Sequence, residues 1–205
     1  MTNKQDQTDH YFTMIPKSEA KLGLIRTTLR GKNFEFLTAS GIFSKRQVDL
    51  GTRLLIEAMI LPQEGIVLDL GCGYGPVGIA AATCGTQLKI IMTDVNLRAV
   101  NFARTNARKN SVNNVEFRRG FLYEPVEDLT FNCILSNPPV SAGMKTVKNI
   151  IAMAPKFMTH KATLQMVIRS KVGAKILPQV FKEKFGNCQI LARKSGYRVL
   201  IAEKK

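Results

Sequence analysis

Residues 66–80 read IVLDLGCGYGPVGIA, and they decide the fold. Residues 66–70 are continuously apolar except for Asp69, the pattern of a parallel strand covered on both faces. Glycines at alternate positions, Gly71, Gly73 and Gly75, let the backbone turn sharply and come close to a ligand. Pro76 suits the first turn of a helix, where a missing N–H costs nothing. Free N–H groups at such a helix start favour a negatively charged ligand group. A strand, a glycine loop and a helix in this order make a nucleotide or nucleoside site.

Two ligand classes compete for it. Gly73-x-Gly75-x-x-Gly78 matches the dinucleotide fingerprint, and Asp94 lies at the distance of a ribose-binding acid. Asp69 argues the other way. A carboxylate just before the glycine loop repels a diphosphate and suits a cation, such as the sulfonium and amino group of S-adenosylmethionine. The bland alternative is a helix-capping aspartate in a tight turn. The charge argument favours S-adenosylmethionine.

Outward from this unit, strand and helix alternate. Strands are expected at 88–92, 115–118, 131–135 and 162–168, and helices from 76 to about 84 and at 97–110, 144–158 and 172–181. Two last strands, 188–192 and 197–202, are joined by a turn short enough for an antiparallel pair. This βα alternation predicts an α/β, doubly wound, mostly parallel sheet of Rossmann-like type, with ligands at the carboxyl ends of the strands. Upstream, residues 22–29 and 33–37 flank the turn Arg30-Gly31-Lys32 and read as a β-hairpin. Helical spacing follows over 47–59. One domain is expected over 1–205: a frayed segment through 10, the hairpin and helix through 60, and the core from 61.

Thirty Lys and Arg against fifteen Asp and Glu give a net charge of +15 and a pI near 9.9, which points to a polyanionic partner. Nucleic acid is favoured over a membrane, because the chain shows no long basic amphipathic helix and no apolar run near the ~20 residues of a span. Arg26, Arg30 and Lys32, at or near the hairpin tip, are candidate phosphate contacts. Four scattered cysteines without CxxC, and no signal peptide, predict a reduced, cytoplasmic chain. No metal-ligand spacing is present.

Asp69, Asp94 and Asn137 all fall at carboxyl ends of predicted strands. Asp94 is placed to accept from both ribose hydroxyls, since a carboxylate is acceptor-only with room for two donors. Val95 and Leu97 are placed to flank an adenine, and Phe121 to stack on it. In Asn137-Pro138-Pro139-Val140 each proline removes a donor and fixes φ, and the residue before each is held extended. The result is a stiff loop presenting carbonyl oxygens and one Asn side chain. Asn137 Oδ1 and the Pro138 carbonyl can each accept one N–H of a planar amine. Two such acceptors favour the rehybridised amine that attacks in the transition state.

With both motifs in hand, the chain resembles the class I S-adenosylmethionine-dependent methyltransferases. VLDLGCGYGPVGIA is similar to their cofactor motif, TDVN to their acidic ribose motif and NPPV to the NPP[YFW]-type catalytic motif. More narrowly it resembles the small-subunit ribosomal RNA methyltransferase C group, through GIFS (41–44), DLGTRLL (49–55), FLYEPV (121–126), NPPVSAG (137–143) and GYRVL (196–200). The resemblance implies a seven-stranded sheet with one antiparallel strand, S-adenosylmethionine as cofactor, and methyl transfer to a base amine, most often guanine in ribosomal RNA. It departs from the pattern at Gly120-Phe121, where relatives commonly have Ser-Asp, and at Val140, where an aromatic often follows NPP. Phe43 and Tyr74 are the rings expected to replace that aromatic against the base. The alternatives left open are a protein glutamine or amino-group methyltransferase, and an RNA-binding subunit with a degenerate cofactor site.

Overall fold

A computed structural model describes residues 22–39 and 47–205. Phe43, with the rest of GIFS and the N-terminal stretch, lies outside the described residues.

The hairpin forms as expected. Strand β1 (Leu22–Leu29) pairs antiparallel with β2 (Lys32–Ala39) through the two-residue turn Arg30-Gly31. Both turn residues have positive φ, 47° and 75°, the backbone that matches the twist of a two-residue hairpin. Ile25, Leu29, Phe34 and Phe36 are buried on its inner face.

The main sheet has seven strands: β3 (Gly65–Leu70), β4 (Leu88–Asp94), β5 (Val115–Arg119), β6 (Phe131–Ser136), β7 (Met158–Arg169), β8 (Gln189–Lys194) and β9 (Tyr197–Glu203). Their order is β5-β4-β3-β6-β7-β9-β8, with β9 alone antiparallel to its neighbours. Helices α1 (Leu50–Ala58), α2 (Pro76–Ala82) and α3 (Leu97–Lys109) pack with the hairpin on one face, while α4 (Gly143–Met153) and α6 (Leu177–Phe185) cover the other. The chain works outward from β3 to β5, then returns to β6 on the other side of β3. That reversal opens a crevice at the carboxyl ends of β3 and β6.

Several element ends differ from expectation, each for a local reason. Asp49 caps α1, its carboxylate accepting the Gly51 and Thr52 N–H groups, so the helix begins at Leu50 rather than 47. Pro155 lies where the expected 144–158 helix would have run on. The α-helix stops at Met153, a 3-10 turn spans Ala154–Phe157, and Met158 opens β7. The expected 172–181 helix is two pieces, α5 (Ser170–Gly173) and α6, because Pro178 is tolerated only in a first turn.

The hairpin cations, candidate phosphate contacts, each have a partner on the protein. Arg26 pairs with Glu35 at 2.7 Å. Arg30 Nη1 donates to the carbonyls of Ile56, Glu57 and Met59, satisfying the open carbonyls at the end of α1. Lys32 Nζ donates to the Thr83 carbonyl at the end of α2. Helices α1 and α2 run from the ligand-binding edge of the sheet back to the opposite edge, so the hairpin tip sits at the edge away from the crevice. Arg30→Met should therefore lower stability by ~1–2 kcal/mol in urea unfolding, the scale of lost hydrogen bonds to a charged donor. Affinity for a polyanion should stay unchanged.

Candidate active site

The parallel register sets the site. Leu70 is the partner of Ser136, so Gly71 and Asn137 leave the sheet side by side. The Ser136 hydroxyl donates to the Leu70 carbonyl at 2.9 Å and pins the two strand ends together.

The glycine loop is built around two buried carboxylates. Asp69 Oδ2 accepts the Gly78 N–H at 2.8 Å, and Asp94 Oδ2 accepts the Gly73 N–H at 2.9 Å. Asp94 Oδ1 takes the Asn96 N–H at 2.8 Å. Burial pushes Asp69 up to about 7, against the Gly78 N–H and with help from the Asp94 charge. Among the described residues no ion pair involves Asp69. A buried acid so placed favours its neutral form unless a positive charge comes close.

The glycines divide their work. At Gly71, with φ +79°, an added Cβ would meet nothing within 4 Å, because that side opens into the crevice. Gly75, with φ +98°, faces the interior instead; a Cβ there would lie 2.9 Å from Ile79 and 3.0 Å from Met92. Gly71 and Gly73 thus border the crevice, while Gly75 is a packing residue.

Two clefts meet at Gly71. One is bordered by Thr93, Asp94, Val95, Gly120, Phe121 and Pro138 among others. Phe121 is exposed there, as a ring meant to lie on a planar group must be. Leu97 is not part of this wall. Thr93 Oγ1, on the same wall, is the one buried side-chain polar atom without a hydrogen-bond partner among the described residues. The second cleft is bordered by Thr52, Asp69, Gly73, Tyr74 and Asn137. An orphaned hydroxyl, an open glycine face and a buried acid fit a nucleoside whose far end is cationic.

Tyr74 does not present its ring. It is buried, edge-on to Phe36 with ring centroids 5.7 Å apart, so it is not the expected partner of a base. Gly120 is where it is because a Cβ would lie 2.8 Å from the Pro125 ring. The expected loss of a side-chain acceptor there is a consequence of that packing.

Two site residues, Asp49 and Thr52, are legible in the sequence only as part of the DLGTRLL resemblance, with no role assigned to either. Asn137 Nδ2 donates to Thr52 Oγ1 at 2.7 Å and to Asp49 Oδ2 at 3.3 Å. With its amide nitrogen held by the first turn of α1, Asn137 directs Oδ1 the other way. Gly51 lets that turn lie against the Tyr197 ring, since a Cβ would come within 2.9 Å of it.

The model of the Methyltransferase small domain matches residues 33–201. The chain belongs to that family. The small-domain methyltransferases use S-adenosylmethionine as methyl donor, and the two clefts fit it. The chain is 37% identical over 199 residues to the uncharacterized protein YbxB of Bacillus subtilis, covering 96% of this chain and 99% of that one. It is 30% identical over 174 residues to ribosomal RNA small subunit methyltransferase C of Hamiltonella defensa, covering 82% of this chain and 50% of that protein. The chain thus spans about half the length of the methyltransferase C relatives it matches. Among solved structures, the Thermus thermophilus 16S rRNA guanine-N2 methyltransferase RsmC, in complex with AdoMet and guanosine, shares the fold. Its TM-score is 0.81 at 24% identity, over 93% of this chain and 52% of that one.

Asp69 gives this methyltransferase site a pH dependence. Its native pKa lies above the ordinary carboxylate range, so the folded apoprotein holds a proton that the unfolded chain has lost. The stability it contributes falls as pH rises toward about 7. A cationic ligand prefers the ionised acid, so its affinity should run the opposite way. Calorimetric titration with S-adenosylmethionine should show binding tightening between about pH 5.5 and 7.5, by at most about tenfold per pH unit, and levelling above that. Asp69→Asn should bind more weakly with a flat profile.

Proposed function

We propose that the protein moves a methyl group from S-adenosylmethionine to an exocyclic base amine, guanine N2 of small-subunit ribosomal RNA. The observation that carries this reading is the fixed amide of Asn137. Held through Nδ2 by Thr52 and Asp49, it borders the cofactor cleft with its acceptor oxygen left for a substrate amine, next in the chain to Pro138 and its carbonyl. An –NH2 group received by those two acceptors has its lone pair directed away from both, toward the sulfonium side of the site.

S-adenosylmethionine supplies the electrophilic methyl when bound. The chain supplies placement. Asp69 stands near the cationic end, Asp94 accepts from the ribose, and Val95 and Phe121 flank the adenine. Pro138 and Pro139 keep the acceptor loop stiff, so the base does not spend free energy in ordering it. No side chain need take the proton before attack, because the methylated amine is acidic enough to release it afterward. The methyltransferase C relatives and the guanosine bound to the Thermus RsmC support guanine as the base. The +15 charge supports RNA over a protein acceptor. Val140 and Phe43 stay with this reading as candidate base contacts, and the base must be unstacked to reach the loop.

The direct test is methylation of rRNA lacking the modification, with nucleoside mass spectrometry of the product. N2-methylguanosine is the expected result. Methyl label entering protein and not RNA would overturn the reading. Asn137→Ala should lower transfer by about 10²–10³ with cofactor affinity nearly unchanged, the scale for losing one transition-state acceptor or donor. Thr52→Val should cost about tenfold in kcat, one hydrogen bond's worth of positioning.

A further inference from the structure

The positive charge of the chain is not spread evenly. Residues 138–205 hold fourteen Lys and Arg against two acids, Glu183 and Glu203, which is +12 of the chain's +15. The topology then sorts these cations. β7 and β8 end at the edge that carries the crevice, and β9, being antiparallel, begins there. Arg169, Lys171, Arg193, Lys194 and Arg198 therefore gather at that edge. Glu203, at the far end of β9, and Glu183, in the last turns of α6, belong to the opposite one.

Among the described residues none of these five cations enters an ion pair, and Arg169 instead donates to the Tyr197 hydroxyl and lies over its ring. Arg193 and Arg198 are direct partners across the β8–β9 ladder. Like charges so placed are destabilising unless something anionic sits between them. Lys171 lies on α5, beside the exposed Val172 and close to an apolar cleft formed by Pro138, Pro139, Met144, Val172 and Leu177. That cleft shares its two prolines with the cofactor cleft. A line of cations next to an apolar slot is the surface that a single nucleic-acid strand requires, phosphates on the one and an unstacked base on the other.

We propose that an unpaired RNA segment lies along the ends of β7, β9 and β8, its phosphates on Lys171, Arg193, Lys194 and Arg198 and its target base turned in over Pro138 and Pro139. This rests on the methyl-transfer reading for the base, but the strand's path is a separate claim. The hairpin, whose cations have protein partners at the opposite edge, takes no part in it.

The test compares two triple variants of the full chain. Lys171→Gln, Arg193→Gln and Lys194→Gln empty the proposed track. Lys182→Gln, Lys184→Gln and Lys205→Gln remove the same charge elsewhere. Binding of a labelled single-stranded oligoribonucleotide with unpaired guanines is measured against salt, alongside rRNA methylation. The track variant should bind at least about tenfold more weakly at about 0.1 M salt, with a log–log salt slope shallower by about 2, from three lost contacts at ~0.7 each. Its Tm should hold or rise, since the Arg193–Arg198 repulsion is relieved, and S-adenosylmethionine affinity should not change. The control variant should behave like wild type. Equal losses in both variants, or none in the track variant, would overturn the assignment, including in favour of an acidic protein on this face. If the wild type methylates RNA while the track variant binds as well as it does, the path is wrong and the chemistry stands. If the track variant loses binding but the wild type methylates no RNA, the path stands and the chemistry is wrong.

Discussion

One constraint organises this molecule: β3 and β6 lie side by side, in parallel, with Leu70 opposite Ser136. A parallel pair needs a long crossover connection, and here everything from α2 to the end of β5 lies between the two strands. Both strand ends therefore face the same edge, one carrying the glycine loop and the other Asn-Pro-Pro. A slip of one residue would exchange the faces of every side chain on β6. It would move Ser136 off the Leu70 carbonyl and Asn137 away from the loop that faces it. The covering of β6 on both faces, by Cys133 and Leu135 on one side and Ile134 on the other, makes such a slip costly.

The second constraint is electrostatic. Asp69 and Asp94 are buried beside the glycine loop, Asp69 held by the Gly78 N–H of α2 and Asp94 by the Gly73 N–H of the loop. For Asp69 that N–H is a partner without a counter-charge, since no ion pair involves it among the described residues. Folding thus stores unfavourable electrostatics at the point where a cationic ligand enters. Stability is traded for affinity at the site, as an acid kept out of water and short of a counter-ion must do.

What the sequence disclosed and what it withheld divide along chain separation. The strand–glycine–helix unit, the Asp after β4 and the Asn-Pro-Pro corner are each written within a few residues, and local chemistry was enough to place them. The anchoring of Asn137 by Thr52 and Asp49 crosses 85 and 88 residues, and no local pattern encodes it. Gly73 and Gly75 look alike in the motif, yet only Gly73 borders the crevice. Gly75 instead packs inward, where a Cβ would meet Ile79 and Met92. The role of the hairpin cations turned on which edge of the sheet the tip would reach, a matter of tertiary docking. The breaks at Pro155 and Pro178 were visible as residues and were outweighed by helical spacing on either side.

The position of α1 links the two halves of the site to the far end of the sheet. Its first turn holds Asn137 through Thr52, and Gly51 in that same turn rests against Tyr197, whose hydroxyl accepts from Arg169. Asn137 follows β6 and Tyr197 begins β9, so the first turn of α1 meets two strand ends at the crevice edge, and Tyr197 in turn receives Arg169 from the end of β7. Such an arrangement is stiff because it is over-determined: moving the turn to suit one contact would break the other. A transfer reaction that relies on aligning an amine with a methyl group needs that kind of fixity, since misplacement on the order of 1 Å is enough to lose about 10²-fold in rate. The small residue at position 51 helps to hold the Asn137 amide by letting the α1 turn pack against Tyr197.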